Sequence, residues 1–185
     1  MPLILNIETS TTVCSVALSK DGNLIAFQEV NDGYTHAENI TVFIEKAIAE
    51  AKIKYEELDA IAVSIGPGSY TGLRIGLSTA KGLCYALNKP LIAISTLKSL
   101  AAQLHYSLFN IQYSLLCPML DARRMEVFTG LYDNQLAEVV APHALILNAN
   151  SFSDYLENQT ICFLGNGSIK SKTFIFGSKF PYNIL

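Results

Sequence analysis

The feature that most constrains this chain is a pattern that occurs twice: three short strands, a helix, and a fourth strand running into a glycine turn. In the first occurrence Leu3 to Ile7 is an apolar run of strand type and Val13 to Leu18 alternates. Asp21-Gly22-Asn23 then supplies a tight turn into a third strand, Leu24 to Val30. After the break at Asn31-Asp32-Gly33, Thr35 and Glu38 stand at capping-box spacing. The helix they open puts Ile40, Phe43, Ile44, Ala47, Ile48 and Ala51 on one arc. Ala60 to Ile65 reads as a strand covered on both faces and ends in Gly66-Pro67-Gly68. A second helix runs from about Thr71 to Leu87, closed by Asn88 and Pro90. Leu91 to Ile94 is a further strand. Ser95 or Thr96 can cap a third helix with Leu97, Leu100, Ala101, Leu104 and Leu108 in register.

The second occurrence places strands at Leu115 to Leu120, Met125 to Tyr132 and Leu136 to Val140, with Asp133-Asn134-Gln135 as a turn. A short helix is expected from Ser153 to Glu157, then a strand from Thr160 to Leu164 ending in Gly165-Asn166-Gly167. A duplicated βββαβ unit fits an α/β protein of the actin-like ATPase (ribonuclease H-like) superfold. The expected domains are about 1–100 and 101–185.

Composition enters where it excludes functions. Half the residues are apolar, enough for a packed core. Net charge is −3, the only arginines are Arg74, Arg123 and Arg124, and the lysines never run together. A chain that binds a polyanion alone needs a basic stripe, so any RNA contact here is expected to be shared with a partner. Cys14, Cys84, Cys117 and Cys162 stand far apart without a Cys-x-x-Cys. The start has no basic n-region and meets Glu8 early, and no apolar run reaches the ~18 residues of a membrane span. A reduced, cytoplasmic protein without membrane contact is expected.

The most specific stretch is Gly66-Pro67-Gly68-Ser69-Tyr70-Thr71-Gly72-Leu73-Arg74-Ile75-Gly76, supported by Glu8-Thr9-Ser10 after the first strand and Asp121-Ala122-Arg123-Arg124 between two later strands. Together these resemble the TsaB family, also called YeaZ, from Leu3 to about Gly167. The resemblance implies a subunit of the machinery that adds threonylcarbamoyl to the adenosine next to the anticodon of tRNAs reading codons that begin with A. Its implied partners are a catalytic relative of TsaD type and a small ATPase of TsaE type, with a homodimer in isolation and tRNA met only through the complex.

Two departures from the catalytic relative bear on chemistry. Where that relative carries Asp and Glu in its first loop, this chain has Thr12 and Val13. Where it carries His-x-x-x-His for its metal, two imidazoles on one helix face, alignment on Leu91 to Ile94 puts Thr96 and Leu100. His36, His105 and His143 rebuild no such pair. His36 is expected in a helix first turn, His105 in a helix and His143 in a loop. No catalytic residue and no metal ligand is therefore expected. No cofactor should bind tightly, ATP or ADP being expected at most at the interface of the complex. A kinase-like phosphotransferase or a metallopeptidase-like protein are the alternatives, each lacking its ligand set.

Gly-Pro-Gly between a buried strand and a helix sets amides near a helix N-terminus, where an anion can sit. Thr9, Ser10, Gly66, Gly68, Gly165 and Gly167 are the candidate anion loops. The alternative is glycine serving only a sharp turn, favoured because no Lys follows in P-loop spacing. The second helix carries Gly72, Gly76, Thr79 and Leu83 on one stripe and Leu73, Leu77, Ala80, Cys84 and Leu87 on the next. The small-residue stripe either packs on its own domain or admits a second helix. The resemblance favours the second, giving a partner interface on the first two helices through Ile40, Phe43, Gly72, Leu73, Gly76, Thr79, Ala80 and Leu83. Family members generally continue past the second glycine turn with a segment returning to the first domain. The sequence ending at Leu185 thus implies a second domain that is truncated or short.

Overall fold

The computed structural model describes residues 1–33, 35–107, 113–175 and 182–184. They form two units, Met1–Thr96 and Leu97–Leu185, each built on one five-stranded sheet.

The first unit runs β1 (Leu3–Glu8), β2 (Cys14–Lys20), β3 (Asn23–Val30), α1 (His36–Ala51), β4 (Ala60–Ser64), α2 (Tyr70–Leu87) and β5 (Leu91–Ile94). Its sheet order is β3-β2-β1-β4-β5, with β1 antiparallel to β2 and parallel to β4. β1 and β2 alternate, and Leu3, Leu5, Ile7, Cys14, Val16 and Leu18 form one buried face. α1 and α2 supply the matching stripes, Ile40, Ile44, Ala47 and Ile48 from the first and Ala80 with Leu77 and Leu83 from the second. Burying each large side chain contributes roughly 1.5–3 kcal/mol. All five residues of β4 are buried, as a strand covered on both faces requires.

α1 starts where expected, but not by the expected device. Thr35 makes no side-chain cap to the helix. Its hydroxyl and carbonyl instead accept the Asn39 side-chain amide at 2.9 and 3.0 Å. The Thr35 φ of −87° and ψ of 21° lie outside the extended region from which a capping hydroxyl reaches back to the helix amides. α2 is capped by Ser69, whose hydroxyl accepts from the Gly72 N–H, and ends at Asn88 in the left-handed region.

The second unit runs α3 (Thr96–Ser107), β6 (Leu115–Asp121), β7 (Glu126–Tyr132), β8 (Glu138–Ile146), α4 (Ser153–Leu156), β9 (Ile161–Leu164), α5 (Ser168–Ile175) and β10 (Tyr182–Ile184). Its order, β10-β9-β6-β7-β8, is that of the first sheet read from the other edge. The duplication therefore extends to a fifth strand, and the α/β, twice-built architecture is the one the sequence pattern implied.

Side chains of β6 and β9 alternate between two cores. Leu115, Cys117, Met119, Ile161 and Phe163 face one way, while Leu116, Leu120, Cys162 and Leu164 face the other. Leu97 and Ala101 of α3 pack into the second of these. That places the boundary before Leu97, since the apolar stripe of α3 is spent on the second sheet; Leu108, expected to continue that stripe, lies outside the described residues. β8 is longer than expected and carries His143, which is on a strand rather than in a loop. Pro142 is tolerated because β8 is an edge strand.

Candidate functional site: the glycine turns and the hairpin tips they meet

In the first unit the β1–β2 connection folds inward onto α2. Thr9 and Ser10 are buried, and the Thr9 hydroxyl donates to the Gly72 carbonyl at 2.9 Å. A side chain on Gly72 would run into the Thr9 carbonyl, one on Gly76 into the Thr9 hydroxyl, and one on Gly68 into the Ser10 carbonyl. The Ser69 N–H donates to the Ser10 carbonyl at 2.6 Å, and the His36 ring Nε2 lies 2.9 Å from the Thr11 carbonyl. Thr12 donates to Asn31 at 3.1 Å, and the Val13 N–H to the Thr11 hydroxyl at 3.2 Å.

Thr9, Ser10 and Gly68 are thus brought together, whereas a side chain on Gly66, whose φ is +106°, would meet Leu73, and the position beside the turn already holds an anion. The Glu8 carboxylate accepts from the Ser10 N–H at 2.6 Å and from the Ser64 hydroxyl. No salt bridge to Glu8 occurs among the described residues. A negative charge there opposes an incoming phosphate; Gly68, Gly72 and Gly76 are explained by the close approach of Thr9 and Ser10, and Gly66 by its φ of +106°. The Ser10 hydroxyl itself is buried without a partner among the described residues.

Gly165 and Gly167 repeat this role in the second unit. A side chain on Gly165, whose φ is +90°, would stand 2.5 Å from the Met119 carbonyl and 2.8 Å from Leu100 Cδ2. The Gly167 N–H donates to the Met119 carbonyl at 3.0 Å.

The surroundings of this second turn differ in charge. Lys170 donates to Asp121 at 2.8 Å and to the Glu126 carbonyl at 3.2 Å. The Lys170 ammonium beside it holds the Asp121 carboxyl below its usual value, aided by the Arg123 N–H. The Asp121 N–H in turn donates to Asn166 at 2.9 Å.

The expected partner interface is corrected on most of its residues. Ile40, Phe43 and Ala80 are buried in the first unit's own core, and Leu83 packs against it. Gly72 and Gly76 are buried under the Thr9 turn, while Leu73 and Thr79 are half-buried. Both stripes of α2 face inward, because the β1–β2 connection occupies what would otherwise be a second open face. The outward face is Arg74, Ser78, Lys81, Gly82 and Tyr85. Tyr85 is 92% exposed, and a side chain on Gly82 would meet nothing within 4 Å. The signal was present in the sequence: Arg74, Ser78, Lys81 and Tyr85 recur at helical spacing and are polar.

Thr96 is buried, with its N–H on the Gly66 carbonyl at 2.9 Å, and Leu100 packs beside Gly165. His105 lies 2.7 Å from the Tyr113 hydroxyl and His143 Nδ1 lies 3.0 Å from the Ala141 carbonyl. No group of three or more His, Cys, Asp or Glu side chains able to hold a metal occurs among the described residues.

Residues 33–164 match the family model of the tRNA N6-adenosine threonylcarbamoyltransferase TsaD. The tRNA threonylcarbamoyladenosine biosynthesis protein TsaB of Bacillus subtilis is 33% identical over 180 residues, covering 93% of this chain and 74% of that protein. The Haemophilus influenzae TsaB is 35% identical over 125 residues, covering 68% of this chain and 51% of its own length. Among solved structures, YeaZ from Pseudomonas aeruginosa superposes with a TM-score of 0.73 at 29% identity, covering 80% of this chain and 69% of that one. The sequence match to TsaB and the shared fold of YeaZ agree, and the chain belongs to the TsaB (YeaZ) family.

Proposed function

We propose that the chain serves tRNA threonylcarbamoyladenosine biosynthesis as a non-catalytic subunit, heterodimerising with a catalytic subunit of TsaD type. One observation carries this reading. At the positions where the catalytic relative bears its carboxylates and imidazole pair, Thr12, Val13, Thr96 and Leu100 are engaged in local hydrogen bonds or packing. None of the four offers a ligand for a transition metal, and the carboxylate nearest the glycine turn, Glu8, is held by its own unit. The contribution is then one of shape: the chain stabilises the competent form of the catalytic subunit. A small ATPase of TsaE type acts on that pair, and nucleotide enters only at the interface of the complex. The docking surface is the outward face of α2, since the inward stripes are already occupied.

The test is reconstitution. Purified catalytic subunit is supplied with threonylcarbamoyl-adenylate and unmodified tRNA, with and without this chain, and modified adenosine is quantified by nucleoside mass analysis. Modification should rise at least tenfold when the chain is added, and the chain alone should give none. Product formed by the chain alone would make it the enzyme. No stimulation, together with no retention of the catalytic subunit on the immobilised chain, would sink the subunit reading.

A further inference from the structure

Between β6 and β7 the chain turns through Arg123 and Arg124, which have φ of +69° and +47°. Both lie in the left-handed region, where a Cβ crowds the following carbonyl and Gly or Asn is the ordinary choice. Two consecutive arginines are a poor choice for making this turn. The turn is nevertheless well held. The Glu126 N–H donates to the Arg123 carbonyl at 3.0 Å, the Ala122 N–H to the Glu126 carbonyl at 3.1 Å, and the Arg123 N–H to Asp121 at 2.6 Å. Lys170 pins Asp121 and Asn166 receives its N–H. Neither guanidinium shares in this bracing. Both side chains are exposed, and neither has an ion pair, hydrogen bond or ring contact among the described residues. These are two of the three arginines in a chain of net charge −3. The acids nearest in sequence are Asp121, neutralised by Lys170, and Glu126, which leaves the tip with net positive charge.

We infer that the Arg123–Arg124 tip is a phosphate-binding site, whose two guanidiniums take the phosphate oxyanions of an RNA backbone. A steric penalty kept at two successive positions, with side chains that support nothing in the fold, points to a ligand outside the chain. Guanidinium forks match phosphate oxygens bidentately. An exposed tip with no ring contact suits a phosphodiester chain better than a nucleotide, which also needs a seat for its base. This deepens the proposed function and rests on it for the choice of RNA; a nucleoside triphosphate offers the same oxyanions and is separated by the test.

The test uses the full chain, alone and together with the TsaD-type catalytic subunit, and labelled unmodified tRNA titrated between about 50 and 200 mM salt. Arg123→Gly/Arg124→Gly removes both charges and relieves the backbone. It should melt at or above the wild-type temperature and bind tRNA at least tenfold more weakly. Its plot of log K against log salt should be shallower by about 1.5, for two lost phosphate contacts. Arg123→Lys/Arg124→Lys should keep the slope and lose only part of the affinity. Mg-ATP that binds the wild type, displaces tRNA and fails to bind the Gly pair would support the phosphate site with a nucleotide as its source. The proposal is overturned if the Gly pair binds tRNA with unchanged affinity and slope, if it melts lower than wild type, or if the wild type binds neither tRNA nor ATP. It is equally overturned if only retention of the catalytic subunit is lost, which would make the tip a protein contact. Failed stimulation in the reconstitution assay with an intact arginine-dependent tRNA affinity would remove the subunit role and leave this site standing.

Discussion

Gly76 and Gly82 lie in the same helix and answer to different forces. The Thr9 hydroxyl occupies the space a side chain on Gly76 would need, while Gly82 borders open space. Gly76→Ala should destabilise the protein by roughly 1–3 kcal/mol through overpacking. Gly82→Ala should stabilise it by roughly 0.5–1 kcal/mol, because glycine is the poorer helix former. Urea midpoints of the two variants check both signs; equal shifts would mean that Thr9 does not seat against the helix. The cysteines follow burial in the same way. Desolvation pushes the Cys117 thiol up to about 12, partly offset by its contact with the Thr129 hydroxyl, and the Cys162 thiol up to about 11. At pH 8 a disulfide reagent should titrate half-buried Cys84 in the folded protein and reach Cys14, Cys117 and Cys162 only on unfolding. Folding keeps these thiols neutral, so their contribution to stability is complete below the ordinary thiol value of 9.0 and is lost as pH rises toward about 12. The urea midpoint should fall across that alkaline range, and less so in Cys117→Ala once its lower baseline is subtracted.

At the scale of elements, α2 shows what a linear pattern can and cannot say. Helical spacing puts Leu77, Ala80, Cys84 and Leu87 on one stripe, and the structure packs all four against the first core, including Ala80, which was expected at the partner interface. The same spacing marked Gly72 and Gly76 as a stripe of small residues, but nothing local says what a small residue makes room for. The answer lies far away in sequence, in the Thr9–Ser10 turn. Ile40 and Phe43 were misassigned for a related reason: a single amphipathic arc cannot serve both a core and a partner, and the sheet claims it first. The outward face of α2 can be tested directly. Gly82→Leu fills open space and should leave melting unchanged or higher, yet weaken retention of the catalytic subunit by about fivefold or more, as overpacking of roughly 1–3 kcal/mol at a contact implies. Column retention at full strength would move the docking surface off this helix.

At the scale of the whole chain, the duplicated strand order was legible because each strand carries its own turn signals. The fifth strand of the second sheet, β10, was not legible, since Tyr182–Ile184 is too short to show a period. The boundary fell before Leu97 because α3 alone does not reveal which sheet will cover it. A fragment of residues 1–96 should therefore melt cooperatively and run as a compact species on size exclusion. A fragment of residues 1–107 should self-associate, because Leu97 and Ala101 are then exposed without the sheet that buries them. A compact, well-behaved longer fragment would show that α3 has a seat in the first unit.

The matching strand orders also make the Thr9 turn and the Arg123–Arg124 turn counterparts, the same connection present in two copies. In one copy the first two residues of the turn, Thr9 and Ser10, have withdrawn into the protein and become part of its packing. In the other the tip remains outside and carries charge. Duplication lets inheritance treat the two copies by separate rules. A change in the withdrawn copy is judged by fit and by hydrogen bonding, with Gly76→Ala felt as overpacking and Thr9→Val as the loss of the buried bond to the Gly72 carbonyl. A change in the projecting copy is judged by sign, so that lysine can stand for arginine there while a neutral residue of perfect shape cannot. Descendants of such a chain should drift within those two limits independently of one another.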